Sequence, residues 1–187
     1  MPISETYNLD VMEYMKGVES GAFDLAIADP NYGISVNHNM GRRKGDKKSD
    51  YAKVTWDSAP PPVEFFKELF RVSKNQIIWG ANHFIDRMPI PSSCWLMWDK
   101  SFSEDVSFAQ FELAWTSFDG TCKKFDMHPS QQFRIHPTQK PPELYFWMLN
   151  RFARPGDKIF DPMMGSQSSR IAAWDMGFDY VGCEKDF

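Results

Sequence analysis

An apolar run at residues 25–28 ends in Asp29-Pro30-Asn31-Tyr32. An aromatic amine is a poor nucleophile because its lone pair is delocalised into the ring. A carboxylate and an adjacent backbone carbonyl can each hold one amino hydrogen, which favours a pyramidal nitrogen whose lone pair is available. Asp29 and the carbonyl of Pro30 fit those two parts, and Tyr32 offers a ring for a flipped-out base to stack on. Asp and Pro are also ordinary residues of the turn that follows a strand, so the tetrapeptide alone has a purely structural reading as well.

A second constellation spans residues 158–173. Lys-Ile-Phe-Asp161-Pro162-Met163-Met164-Gly165-Ser166-Gln167-Ser168 reads as a strand, a turn of small residues and a helix start. Open N–H groups and the positive dipole at such a start suit an anion, for example the carboxylate of a bound amino acid. Glu184 follows nineteen residues beyond Gly165, a distance at which an acidic side chain can accept from ribose hydroxyls. The spacing points to a nucleoside-type cofactor; the plainer reading is a serine-capped helix next to a strand that ends in a surface glutamate. A third stretch, His136-Pro137-Thr138-Gln139-Lys140-Pro141, is a polar turn that could bring Thr138 and Lys140 near a ligand carboxylate. His38, His83, His128 and His136 are scattered without metal-site spacing, so no metal is expected.

Strands are expected where apolar runs are continuous: residues 25–28, 77–79, 94–98, 113–115, 158–160 and 180–183. Continuous rather than alternating runs suit a sheet covered on both faces. Helices are expected near residues 10–18, 62–73, 141–152 and 168–176, two of them preceded by prolines and the last closed by Gly177. Alternating strands and helices of this kind give an α/β fold, a doubly wound and largely parallel sheet. The quick succession of strands between 94 and 118 adds an antiparallel hairpin at one edge. Ligands of open α/β sheets bind at the carboxyl ends of strands, where the residues above would stand.

Composition agrees with one soluble globular domain over residues 1–187: 42% hydrophobic, 25% charged and 16% aromatic, with seven tryptophans. No apolar run approaches the ~20 residues needed to cross a bilayer. Three widely spaced cysteines, Cys94, Cys122 and Cys183, suit neither a disulfide framework nor a zinc site and fit a reducing cytoplasm. The net charge of −4 argues against attachment to nucleic acid by bulk electrostatics. The charge is uneven, however. Arg42, Arg43, Lys44, Lys47 and Lys48 face only Asp46, a local charge of +4 inside a long aperiodic segment, residues 33–59. That segment is expected to be a mobile loop that contacts the substrate, since a local patch can steer a polyanion to an acidic protein; a solvated charged insertion is the alternative.

In this order, the three motifs resemble those of the DNA adenine and cytosine amino-methyltransferases of the beta arrangement. There Asp/Ser-Pro-Pro-Tyr precedes Asp-Pro-Phe-x-Gly-Ser-Gly, with His-Pro-Thr-x-Lys-Pro just ahead of the latter. The likeness extends through Asn8-Leu9-Asp10, Trp79-Gly80-Ala81-Asn82-His83 and Phe111-Glu112-Leu113-Ala114-Trp115, and small phage-type members resemble the chain best. The resemblance implies a circularly permuted methyltransferase fold, S-adenosylmethionine as cofactor and DNA as partner. It implies a catalytic pocket of Asp29, Pro30, Asn31 and Tyr32. Asp161, Pro162, Met164, Gly165, Ser166 and Ser168 would line the cofactor turn, with Thr138 and Lys140 near the methionine part. Glu184 would hold the ribose and Asp10 the adenine amine of the cofactor. Asp rather than Ser at position 29 leans towards adenine over cytosine, and pairing into a homodimer is common in the family.

Three departures stand out. Asn31 replaces a proline, Gln167 replaces a glycine, and relatives continue into a further helix beyond the position of Phe187. If the backbone at 167 needs a positive φ, glutamine there costs roughly 1 kcal/mol or more. Target recognition is expected from residues 119–135 with help from the 33–59 loop. Cytosine methylation, a protein or RNA acceptor, and a catalytically silent DNA-binding relic of the same fold are the competing readings.

Overall fold

The computed structural model describes residues 1–34, 58–102, 109–128 and 139–185. Thr138, His136, the basic cluster Arg42–Lys48, nearly all of the 33–59 loop and residues 129–135 of the expected recognition segment lie outside them.

Among the described residues eight strands form one sheet: β1 (Ser4–Asn8), β2 (Phe23–Ala28), β3 (Ser73–Trp79), β4 (Leu96–Asp99), β5 (Phe111–Thr116), β6 (Lys123–Asp126), β7 (Lys158–Asp161) and β8 (Asp179–Glu184). Four α-helices accompany them: α1 (Val11–Lys16), α2 (Val63–Val72), α3 (Pro142–Phe152) and α4 (Ser168–Asp175). The strand order is β1-β8-β7-β2-β3-β5-β4-β6. The first five strands in that order run parallel, β5 is antiparallel to both β3 and β4, and β6 runs parallel to β4. The hairpin expected from the sequence is therefore β4–β5, with β6 as a further rim strand beyond it.

Alternate residues of the central strands feed two separate cores, as the period of two in a strand requires. Leu25, Ile27, Ile77, Trp79 and Ile159 pack with Leu144, Met148 and Ala172 of α3 and α4. Ala26, Ala28, Ile78, Phe160 and Val181 pack on the other face with Met15, Phe65 and Leu69 of α1 and α2. Both faces are thus covered, which is why these strands read as unbroken apolar runs.

Helix starts follow their local sequence. Asp10 caps α1 by accepting from Met12 N at 2.9 Å. Proline at the first turn opens α3, where its missing N–H leaves nothing unsatisfied. At the far end of α4 Met176 is the cap residue, and Gly177 beyond it takes the left-handed φ of 79°. Two strands were not expected from apolar runs. β1 is Ser-Glu-Thr-Tyr-Asn and β6 is Lys-Lys-Phe-Asp, both sheet-edge strands too polar to stand out.

The order in which the chain lays down its parallel strands reverses between β7 and β2. Such a reversal opens a crevice at the carboxyl ends of the strands. β2 ends there ahead of Asp29, β7 at Asp161 and β8 at Glu184, and Asn8 of β1 is in register with Glu184.

Asp161 anchors the turn above β7. It is 2% exposed, with Oδ1 accepting from Met163 N at 3.0 Å and Oδ2 from Ser169 Oγ at 2.5 Å, while Ser169 Oγ also bonds Tyr180 Oη at 2.9 Å. Burial pushes the Asp161 carboxyl up to about 7, although the bonds from Ser169 and Met163 oppose the rise. An unfolded aspartate ionises near ~3.9, so as pH rises from there towards 7 only the unfolded chain loses its proton. Stability falls across that window and levels above it. The expected outcome for Asp161→Asn is a loss of this fall. Urea unfolding of the two proteins between pH 4 and 8 checks it, and parallel stability profiles would contradict the assignment.

Candidate active site

Asp29 follows the last residue of β2, and the buried Pro30 turns the chain so that Tyr32 folds back over the sheet edge. The Tyr32 hydroxyl donates to Asp29 Oδ1 at 2.7 Å and lies 3.2 Å from Glu112 Oε2. Its ring stacks on His83, with centroids 5.3 Å apart and planes 17° from parallel. Tyr32 can lie there because residue 80 is glycine. Gly80 has a φ of 70°, and a Cβ at that position would collide with the Tyr32 ring.

Lys140 sits at the centre, 5% exposed. Its ammonium donates to Asp29 Oδ1 at 2.6 Å and to Tyr32 Oη at 3.1 Å, and pairs with Glu112 Oε2 at 3.0 Å. It also stands 5.6 Å and 5.4 Å from the ring centres of Tyr32 and Trp79. Lys100 holds the other oxygen of Glu112 at 2.5 Å. Two carboxylates and two ammonium groups thus neutralise one another in a poorly hydrated place. Burial opposes the charge on Lys140, but the Asp29 and Glu112 carboxylates raise its pKa above the ordinary lysine value. Burial likewise resists ionisation of Glu112, yet Lys140 and then Lys100 hold its carboxyl at about 2. Enclosure, reinforced by Asp29 and Glu112, pushes the Tyr32 hydroxyl well above its usual range, so it stays a proton donor.

The second half of the crevice is the turn from Asp161 to Ser168. Pro162 and Met164 are buried beneath it. Gly165 N donates to Glu184 Oε2 at 2.9 Å, which ties the turn to the end of β8. Ser166 Oγ and Ser168 Oγ lie 3.1 Å apart. A Cβ built on Gly165 would meet nothing within 4 Å, so the space above the turn is open. Asp10 is half-exposed, with Oδ2 3.8 Å from Lys185 Nζ, a residue that follows Glu184 directly. Gln167 takes the left-handed conformation, φ 62° and ψ 22°, that a glycine would adopt without strain. Its amide oxygen accepts from Arg170 Nη1 at 2.8 Å.

Asp29, Pro30 and Tyr32 therefore stand together at one strand end. Asp161, Pro162, Met164, Gly165, Ser166, Ser168 and Glu184 gather at the adjoining ones, with Asp10 beside the end of β1. Lys140, which the motif resemblance put near the methionine part of the cofactor, is drawn into the Asp29 pocket. It points to Asp29 rather than to the turn at Gly165, because the two carboxylates of the β2 and β5 strands offer a buried ammonium its compensation. Asn31 is half-buried in the loop between Pro30 and Tyr32. Glu112, Lys100, Gly80 and His83 received no role from the motifs, although Glu112 and the Trp79–His83 stretch carry the family likeness. Among the described residues no group of three or more His, Cys, Asp or Glu is placed to hold a metal, and no helix is long and apolar enough to cross a membrane.

Residues 103–186 match the family model N6_N4_Mtase, DNA methylase. YubD of Escherichia coli (strain K12), a protein provisionally named a methylase, is 22% identical over 94% of this chain and 82% of its own length. Among solved structures, the M1.HpyAVI–SAM complex matches with a TM-score of 0.63 at 16% identity, over 99% of this chain and 95% of that one. The PvuII DNA methyltransferase (cytosine-N4-specific) gives 0.65 at 12% identity, over 98% and 83%. At such identities the structural likeness establishes the fold alone. The span matched by the family model carries β5 with Glu112, the Lys140 turn, the Asp161 turn and Glu184, the half of the crevice that completes the pocket around Asp29: over that span the chain is similar to the N6/N4 DNA methylases.

Proposed function

We propose that this chain transfers a methyl group from S-adenosylmethionine to the exocyclic amine of adenine in DNA. The observation that carries the reading is the state of Asp29. One carboxylate oxygen is held by Tyr32 and Lys140, and among the described residues the other makes no bond. That second oxygen is an acceptor for one amino hydrogen, and the Pro30 carbonyl serves the other. Tyr32 supplies the ring for a flipped-out base.

S-adenosylmethionine fits the second half of the crevice, where the space over Gly165 is open and Glu184 and Asp10 flank it at neighbouring strand ends. When bound it brings a methyl group already activated by a positively charged sulfur. Glu184 takes the ribose, Asp10 the adenine amine, and the Gly165, Ser166 and Ser168 turn with Thr138 approaches the amino-acid end. The protein aligns amine and methyl group and holds acceptors in place beforehand, which lowers the barrier without further chemistry of its own. Cytosine-N4 methylation is the second reading, favoured by the likeness to a cytosine-N4-specific enzyme. Adenine is preferred because position 29 is Asp rather than Ser.

The Arg42, Arg43, Lys44, Lys47 and Lys48 cluster is assigned to phosphate contacts, and residues 119–135 to target recognition. Part of the latter is β6, the rim strand of the sheet beyond β4.

Three outcomes are expected. Incubation with S-adenosylmethionine and unmethylated DNA, digestion and mass analysis should give N6-methyladenosine with the wild type and none with Asp29→Ala; N4-methylcytosine would overturn the base assignment. S-adenosylhomocysteine at a hundredfold excess over its dissociation constant should stabilise the fold by about 2.7 kcal/mol, and no shift in thermal unfolding would favour a silent relic. Replacing Arg42, Arg43 and Lys44 together by glutamine should weaken DNA binding and flatten its salt dependence, by up to about 0.9 in log–log slope for each lost phosphate contact. Unchanged affinity and slope would remove the cluster from the interface.

A further inference from the structure

Glu112 takes no part in the chemistry proposed above, yet it is tied more heavily than Asp29. Oε1 is held by Lys100 at 2.5 Å; Oε2 faces Lys140 Nζ at 3.0 Å and Tyr32 Oη at 3.2 Å. Its side chain is 19% exposed and that of Lys140 5%. An ammonium has three donors, and those of Lys140 are all directed within the cluster, to Asp29 Oδ1, Tyr32 Oη and Glu112 Oε2.

The geometry is one-sided. A lone ammonium beside a carboxylate is free to sit between its two oxygens and occupy both. Here Glu112 draws Lys140 and the Tyr32 hydroxyl to the same flank, so both engage Oδ1 of Asp29. A buried charge keeps such a place only while its counter-charges stay fixed. Lys100, on the residue after β4, fixes Glu112 from the far side.

We propose that Glu112, anchored by Lys100, is a positioning residue that clamps Lys140 and Tyr32 on Oδ1 of Asp29 and so reserves Oδ2 for the substrate amine. The identity of that amine rests on the methylation reading; the clamp does not. With Oδ1 held by Lys140 and Tyr32, Asp29 is a hydrogen-bond acceptor at a fixed oxygen. Neither Glu112 nor Lys100 touches Asp29. Their effect runs entirely through Lys140 and Tyr32.

The test uses the full chain, wild type against Glu112→Gln and Lys100→Met, with two readouts. The first is reductive methylation of lysines by formaldehyde and a borohydride, with the rate at Lys140 followed by peptide mass spectrometry. The second is single-turnover methyl transfer to DNA with KM for S-adenosylmethionine. Glu112→Gln should label at Lys140 about tenfold faster or more and transfer methyl about tenfold slower or more, with KM for the cofactor within about twofold of wild type. Lys100→Met should shift both readouts the same way by less, and it decides the matter if urea unfolding shows Glu112→Gln to be unfolded. A purely structural Glu112 would instead raise KM and lower stability together. Lys140 as protected in the variant as in wild type, or an unchanged transfer rate, overturns the proposal. A wild-type protein that methylates no DNA overturns the methylation reading instead. The labelling arm then decides the clamp alone, upheld by lost protection and overturned by retained protection.

Discussion

An ammonium group that is 5% exposed cannot be held at the end of a sheet without counter-charges. Lys140 finds them on two strands that meet only through a third. Asp29 extends β2, Glu112 belongs to β5, and β3 lies between them. Lys140 itself arrives from the segment before α3. One cation therefore ties together the parallel half of the sheet, the antiparallel half and the start of a helix. Removing water from such a cluster is expensive, and what it gains over an apolar packing is a defined geometry more than stability. The neutral balance of two carboxylates and two ammonium groups matters for the same reason. Lys140, Tyr32 and Glu112 are each held by several partners before any ligand arrives, so little reorganisation of them remains when one binds.

The rest of the architecture serves to bring two such places side by side. Parallel strands put their carboxyl ends on one edge, and the reversal of strand order between β7 and β2 leaves room there. The Asp29 pocket lies on one side of the reversal and the Asp161–Glu184 turn on the other. The two sites differ in how they are stiffened. Around Asp29 the restraint is ionic. Around Asp161 it is a short series of hydroxyl bonds, through Ser169 to Tyr180, beneath a carboxyl whose pKa burial raises.

Much of this was legible from the residues. Continuous apolar runs located β2, β3, β4, β5, β7 and β8, because those strands are covered on both faces. β1 and β6 escaped because a strand at the rim of a sheet needs no apolar run to be stable once its neighbour is in place. Residue order within motifs singled out Asp29, Tyr32, Gly165 and Glu184, which the fold brings to adjoining strand ends because they lie a few residues or one strand–helix unit apart. Glu112 and Lys100 were not legible, since their partners Tyr32 and Lys140 lie on distant parts of the chain and only the sheet order brings them together. Lys140 shows the limit most clearly. A motif fixed where it falls in the chain, but its pairing with Asp29 and Glu112 was made by tertiary structure. Gln167 went the other way: the condition set for strain, a left-handed backbone, is the one the turn adopts.

That left-handed glutamine has a bearing on how the molecule assembles. Arg170 holds the Gln167 amide with one nitrogen and reaches Ser4 Oγ in β1 with another at 2.9 Å. Among the described residues β1 in turn pairs with β8 alone, Ser4 opposite Tyr180. On a ribosome, β1 must therefore wait for this partner until β8 has been made. Contacts of such long separation form slowly. The turn at Gly165 and Gln167 is consequently among the last features to be locked, and the protein gains a finished crevice only when its earliest-made and latest-made described segments have met.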